Sequence, residues 1–229
     1  MNIIEENLAR VRENIAEAAL RSGRAPSDVK LVGVTKTIDV GRIRELLALG
    51  VADLGENRPQ ELAEKYRALG EGPRWHMIGH LQTNKVKLII DKTVLIHSVD
   101  SQRLAEEINR RAAEAGITKD ILVEINIASE PSKYGVKPEN AKEFVGMLNE
   151  LKNLNVRGLM CIAPNVDEPG NNRIYFAKMR QIFIDIKNMY GHNTDIWDLS
   201  MGMTNDYGIA VEEGATMVRI GTGIFGSRA

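Results

Sequence analysis

Lys36 closes the segment Lys30-Leu31-Val32-Gly33-Val34-Thr35-Lys36, an apolar run that ends in an amine. A strand of this composition is buried on both faces. The lysine behind it either snorkels outward or stands in the mouth of a sheet. In the second setting desolvation favours the neutral amine, which can attack a carbonyl carbon. A solvated lysine at a loop start is the plainer alternative, and the residue alone does not decide.

The C-terminal end adds a second kind of chemistry. Arg219-Ile220-Gly221-Thr222-Gly223-Ile224-Phe225-Gly226 sets two glycines around a hydroxyl directly after an apolar run, and Ser200-Met201-Gly202-Met203-Thr204 puts further hydroxyls beside a glycine. Backbone N–H groups freed of side-chain bulk suit a phosphate dianion. A phosphate site and a reactive lysine on one mouth invite two ligands, a sugar phosphate in a Schiff-base aldolase or pyridoxal 5′-phosphate (PLP). Arg219 leans towards PLP, because a guanidinium can face its pyridine nitrogen. An arginine paired with nearby carboxylates is the alternative.

Those residues need a frame that brings distant loops to one end. Ile4, Leu8, Val11, Ile15, Ala18 and Ala19 recur at helical spacing, and Arg21-Ser22-Gly23 and Pro26 end that helix. Strands follow at Lys30–Val34, Val51–Leu54, Arg74–Ile78, Val94–Ser98, Ile121–Ile127, Val156–Cys161, Asp195–Leu199 and Met217–Ile220. Helices alternate with them at Val40–Leu49, Pro59–Leu69, Asn84–Ile90, Ser101–Ala115 (capped by Asp100 or Ser101), Ala141–Leu151 and Asn172–Met189. Eight such units predict an α/β fold, a TIM-type (β/α)8 barrel with an extra N-terminal helix, as a single domain over residues 1–229. An open doubly wound sheet is the alternative, but Thr35-Lys36-Thr37 lacks the glycines of its first turn. In a barrel the loops after the strands form the active face, which places Lys36 and the two C-terminal loops together.

Composition narrows the function. With 30 basic and 31 acidic residues the formal charge is -1, so no broad attraction to nucleic acid or anionic membrane is expected. The single cysteine, Cys161, excludes an internal disulfide. The N-terminal segment carries acids from Glu5 onward, unlike a signal peptide, and no run reaches the roughly 20 apolar residues of a membrane helix. A cytoplasmic protein is expected.

Several segments together resemble the YggS/PROSC family of pyridoxal phosphate homeostasis proteins. They are Val34-Thr35-Lys36, Gly55-Glu56-Asn57-Arg58-Pro59-Gln60-Glu61, Trp75-His76-Met77-Ile78-Gly79-His80-Leu81-Gln82-Thr83-Asn84-Lys85, Gly158-Leu159-Met160, Leu199-Ser200-Met201-Gly202-Met203, Arg219-Ile220-Gly221-Thr222 and Ile224-Phe225-Gly226. That family is similar to the N-terminal barrel of alanine racemase. The resemblance implies PLP as cofactor, Lys36 as its Schiff-base lysine and Arg219 at the pyridine nitrogen. It implies Ser200, Gly221 and Thr222 at the phosphate, and Asn57, His80 and Met201 in motifs lining the cofactor mouth. Where the family usually has Ser and Asp after Gly-Met, this chain has Thr204-Asn205-Asp206-Tyr207.

The racemase takes its second base, a tyrosine, from an additional β-domain of the partner subunit. That domain is expected to be missing here, which favours a monomeric carrier or reservoir, serving PLP-dependent apoenzymes, over a robust enzyme. A racemase-like PLP enzyme is the alternative, and a cofactor-free aldolase a weaker one. Lys133, in Glu130-Pro131-Ser132-Lys133-Tyr134-Gly135, opens onto the same face and is a candidate second amine for relaying the aldehyde, against a plain solvated lysine. Other residues are expected to be structural. His76 and His80 straddle a strand end and do not suit a metal, His97 and His192 lack clustered partners, and Cys161 reads as a small apolar filler. Asp198 reads as ordering its loop, and Lys85 and Lys87 as a solvated face.

Overall fold

The computed structural model describes residues 2–190 and 196–226. Eight parallel strands close into a barrel in sequence order. The elements are α1 (Ile3–Arg21), β1 (Lys30–Val34), α2 (Val40–Ala48), β2 (Asp53–Glu56), α3 (Pro59–Leu69), β3 (Arg74–Met77), β4 (Thr93–Val99), α4 (Gln102–Glu114), β5 (Lys119–Ile125), α5 (Ala141–Leu148), β6 (Leu154–Cys161), α6 (Arg173–Tyr190), β7 (Asp198–Ser200), α7 (Tyr207–Glu212), β8 (Met217–Ile220) and α8 (Thr222–Phe225). The first and last strands close the ring in a continuous register from Lys30 opposite Met217 to Gly33 opposite Ile220.

The expected α/β barrel is the observed one, with informative differences at its edges. β2 lies two residues later than the Val51–Leu54 run suggests. Gly50, at φ 82°, ends the preceding helix, and the Val51 N–H bonds back to Leu46, so Val51 belongs to that helix end. The strand instead ends in Glu56, a charge whose buried partners hide its strand character. β5 begins early for a similar reason: Lys119 buries its stem and donates to the Thr93 carbonyl. Between β3 and β4 the expected helix is a 3₁₀ segment, Thr83–Leu88. Ser101 caps α4, but its hydroxyl donates to Asp100 rather than accepting from the helix. The expected start of the seventh strand, Asp195, and His192 lie outside the described residues.

The main apolar core lies between barrel and helices, with Trp75, Leu54, Ile96, Ile108, Val145 and Phe176 among its fully buried members. The helical repeat of α1 buries Ile4, Leu8, Val11 and Ile15 together against α7 and α8. A separate small cluster of Leu95, Leu122, Met160 and Met217 fills the barrel interior. Buried His76, His97, Ser200 and Arg219 share that interior, so the ring holds an unusual polar column. No described helix is long and apolar enough to cross a membrane.

Candidate functional site

The loops behind the strands enclose a cavity of about 550 Å³. Lys36, Asn57, Lys133, Arg219, Gly221 and Thr222 all line it. Residues separated by up to 186 positions in the chain thus meet at one mouth, as parallel strands carrying their functional residues past their C-terminal ends require.

Lys36 stands in a turn fastened on both sides. Thr35 before it is buried, and its hydroxyl donates to Glu56 Oε1 at 2.6 Å. Thr37 after it sits at φ 64°, and its N–H donates to Glu61 Oε1 at 2.6 Å. Lys65 ties these points together. Its Nζ donates to the Thr35 carbonyl at 2.6 Å and to Glu56 and Glu61 at 2.7 Å each. Burial pushes the Glu56 carboxyl up, against the lowering influence of Lys65 and Thr35. Removing the amine from this cluster would leave buried carboxylates unpaired, a costly state. The β1 loop is therefore held by charge rather than by apolar packing alone. Glu56 and Glu61 stand in a family motif without an assigned role, and Lys65 outside it; the Glu61–Lys65 spacing of four on a helix is the sequence signal for this cluster.

Across the cavity, two hydroxyls pair. Thr222 Oγ1 donates to Thr204 Oγ1 at 3.1 Å, and Thr204 Oγ1 accepts from the Gly223 N–H at 3.2 Å. The loop packs tightly enough that a Cβ on Gly221 would lie 3.2 Å from the Val34 carbonyl oxygen. Gly202 has φ 90°, and a Cβ there would lie 2.5 Å from that of Ala210. Only glycine fits both demands at Gly202. Asp206 fastens the β7 loop by accepting from the Met203 N–H at 2.7 Å and from Asn172 at 2.8 Å.

Ser200 is placed differently from Thr222. It is buried, its hydroxyl accepts from Arg219 Nη1 at 2.6 Å, and it lies 3.0 Å from His97 Nδ1. Ser200 is not among the residues lining the cavity, whereas Thr204, four residues on, is. Sequence reading noticed the second hydroxyl of this loop but gave the weight to the first. Arg219 is buried too, reaching the cavity while Nη2 donates to the Cys161 carbonyl at 2.9 Å. The alternative reading of this arginine, a carboxylate pair, has no hydrogen bond behind it among the described residues. Met201 is fully buried in the apolar core. His80 stacks on Tyr134 with ring centroids 3.6 Å apart and lies 3.3 Å from Asp100, beside the cavity rather than in its lining.

A side chamber of about 170 Å³ adjoins the cavity, sharing Lys133 and Ile162 with it. Glu124 lines this chamber, and its carboxyl is pushed up to about 7 by burial and by Asp100, against Arg219. It was invisible in the sequence, as one acid within an apolar strand. Lys133 is half-exposed and pairs with Glu130 at 2.6 Å. Cys161 is fully buried, with its thiol pushed up to about 12 by that burial. A thiol in that state is not a nucleophile.

The pattern of the family described as alanine racemase, N-terminal domain, matches residues 7–229. A pyridoxal phosphate homeostasis protein of Aquifex aeolicus is 46% identical over 97% of both chains. One from Pseudomonas aeruginosa is 37% identical over 100% of this chain and 97% of its own. Among solved structures, PipY of Synechococcus elongatus, with PLP bound, superposes with a TM-score of 0.83 at 34% identity, covering 97% of this chain and all of that one. A Clostridium difficile alanine racemase superposes at 0.75 with 20% identity, over 98% of this chain and 59% of its own, a likeness of fold. This chain belongs to the YggS/PROSC family, built on the alanine racemase N-terminal barrel.

Proposed function

We propose that this protein binds pyridoxal 5′-phosphate through a Schiff base on Lys36 and acts as a carrier or reservoir of the cofactor, with little catalysis of its own. The observation that carries this reading is one cavity shared by a lysine on a fastened turn, a buried arginine and a paired-hydroxyl loop with glycine backbone. These residues fit the cofactor. Lys36 offers the amine, Thr222, Thr204 and the Gly221 backbone offer small donors to a phosphate, and Arg219 offers a cation to the ring. Ser200, named for the phosphate by family resemblance, would act through Arg219. Asn57 lines the same mouth, behind β2; His80 and Met201 would act from behind the lining.

When bound, PLP supplies an aldehyde that condenses with amines and a ring that can draw electrons from the adduct. Arg219 limits the second ability. A guanidinium can only donate, so a ring nitrogen held by Arg219 would accept a hydrogen bond and stay unprotonated. That weakens electron withdrawal and suits holding the cofactor over transforming an amino acid. Lys133, at the same mouth, would take the aldehyde from Lys36 on its way to a PLP-dependent apoenzyme. The protein would serve this role in the cytoplasm as a monomer.

Titration of cofactor-free protein with PLP should give saturable binding and a visible absorbance that borohydride bleaches. A protein that stays colourless would return the cavity to the aldolase alternative. Interconversion of D- and L-amino acids at ordinary enzyme rates, roughly 1–1000 per second, would overturn the carrier role.

A further inference from the structure

Arg219 is a buried cation with no hydrogen bond to a carboxylate among the described residues; it bonds the Ser200 hydroxyl and the Cys161 carbonyl, while Glu124 and Asp206 act on it only through space. Its hydrogen-bonded path to a counter-charge runs through the barrel. Ser200 Oγ lies 3.0 Å from His97 Nδ1, His97 Nε2 lies 2.9 Å from His76 Nδ1, and His76 Nε2 lies 3.0 Å from Asp53 Oδ1. Asp53 opens β2, at the end of the barrel remote from the cavity, and also accepts from Arg74 Nε at 2.9 Å. Four consecutive bonds thus link β8, β7, β4, β3 and β2.

The two ends agree on the direction of every bond between them. Arginine can only donate. Burial pushes the Asp53 carboxyl up, but hydrogen bonds from His76 and Arg74 outweigh it and hold the group well below the usual carboxylate range, so Asp53 can only accept. Burial also lowers both imidazoles, His97 the more strongly, which keeps them neutral. With both rings neutral, the pure acceptor at the Asp53 end leaves one arrangement, and the pure donor at the other end is compatible with it. Ser200 receives from Arg219 and donates to His97 Nδ1. His97 carries its proton on Nε2 and donates to His76 Nδ1. His76 carries its proton on Nε2 and donates to Asp53. Bonds aligned head to tail in a low-dielectric interior polarise one another.

We propose that Asp53 is a positioning residue for Arg219, holding the guanidinium in a single orientation through His76, His97 and Ser200 from the opposite end of the barrel. The arrangement also turns the Ser200 proton away from the cavity, so that hydroxyl orients Arg219 and donates nothing to a ligand. The consequence for PLP rests on the reading of Arg219 above, whereas the imidazole tautomers do not depend on it.

Cofactor-free protein carrying labelled histidine separates the two. At pH 7 nitrogen chemical shifts should show His76 and His97 neutral, each protonated on Nε2. Asp53→Asn replaces a pure acceptor by a carboxamide that also donates, so a second tautomer population should appear at His76 and His97. The same variant should shift the absorbance of the PLP-loaded protein and weaken PLP binding by about tenfold, the scale of one misdirected hydrogen bond. Ser200→Ala cuts the chain at its other end and should leave both rings protonated on Nε2, since Asp53 still directs them, while weakening PLP binding to a similar degree; it serves if Asp53→Asn does not fold. A proton on Nδ1 of either ring in the wild type, or a charged ring at pH 7, would overturn the proposal. So would unchanged tautomers in a folded Asp53→Asn variant, or unchanged PLP affinity in Ser200→Ala. Normal tautomers in a protein that fails to bind PLP would leave the chain standing and remove the reading of function.

Discussion

Two lysines line the cavity, and they are held in opposite ways. The Lys36 turn is fastened before and after by Thr35 and Thr37, through carboxylates that Lys65 neutralises. Asn126 ties the backbone of the Lys133 loop at the Glu130 and Lys133 carbonyls, but the Lys133 side chain itself has one local ion pair, to Glu130, in which the two side chains are 31% and 38% exposed. Such a pair contributes little, about 0–1 kcal/mol. The acids near each lysine differ in the same sense. Glu56 is buried with a cation 2.7 Å away, while Glu124 is buried without one in hydrogen-bond contact. An amine on a turn clamped by buried charges suits a covalent anchor, and one whose side-chain partner is half in solvent suits exchange.

The largest expected effect comes from breaking the clamp. Lys65→Met leaves Glu56 and Glu61 without their shared cation, and removing one partner of such a buried pair costs about 3–5 kcal/mol. Denaturant titration should show that loss, and PLP should add to Lys36 more slowly even where the variant is folded. A variant as stable as the wild type would mean the turn is not held by this cluster.

Glu124 gives the contrasting case, and its sign follows from the raised carboxyl. Its folded-state value of about 7 lies above the ordinary 4.5, so its contribution to stability is fully present below about pH 4.5 and is lost as pH rises through 7. The difference corresponds to about 3 kcal/mol at 1.36 kcal/mol per unit. Glu124→Gln should remove that slope and leave the protein more stable above pH 7 than the wild type. A pH profile identical in the two would mean that Glu124 has a cation partner after all.

The phosphate loop faces both lysines and should matter whichever holds the aldehyde. Pyridoxal lacking the phosphate should bind more weakly by roughly 1.5–3 kcal/mol per charge-assisted bond lost, or one to two decades each. Equal affinity for the two forms would break the comparison at its common element. Smallest is the effect of Lys133→Ala, which should leave stability and binding at Lys36 unchanged while slowing transfer to an apo-aminotransferase in stopped-flow mixing. Unchanged transfer would make Lys133 an ordinary solvated lysine.

The barrel was legible because its strands are apolar runs at regular spacing, and Lys36, Arg219, Gly221 and Thr222 lie where such runs end. What escaped sequence reading is polar and buried. Glu56 and Lys119 extend strands past their apolar residues because partners from other strands and helices satisfy them, and no local pattern records those partners. His76 reads from sequence as no metal ligand and His97 as isolated; 21 positions separate them, and only the closed ring brings them together. Ser200 and Thr204 are indistinguishable as hydroxyls in one loop; the turn at Gly202 directs one to Arg219 and the other to Thr222.

The central claim is that the fastened lysine, and not the loose one, holds the cofactor. Borohydride reduction of the PLP-loaded protein, followed by proteolysis and peptide mapping, tests it in one step. The account predicts a pyridoxyl adduct on Lys36 in the wild type and its loss in a folded Lys36→Ala variant. An adduct found mainly on Lys133 or any other lysine of the wild type would contradict it.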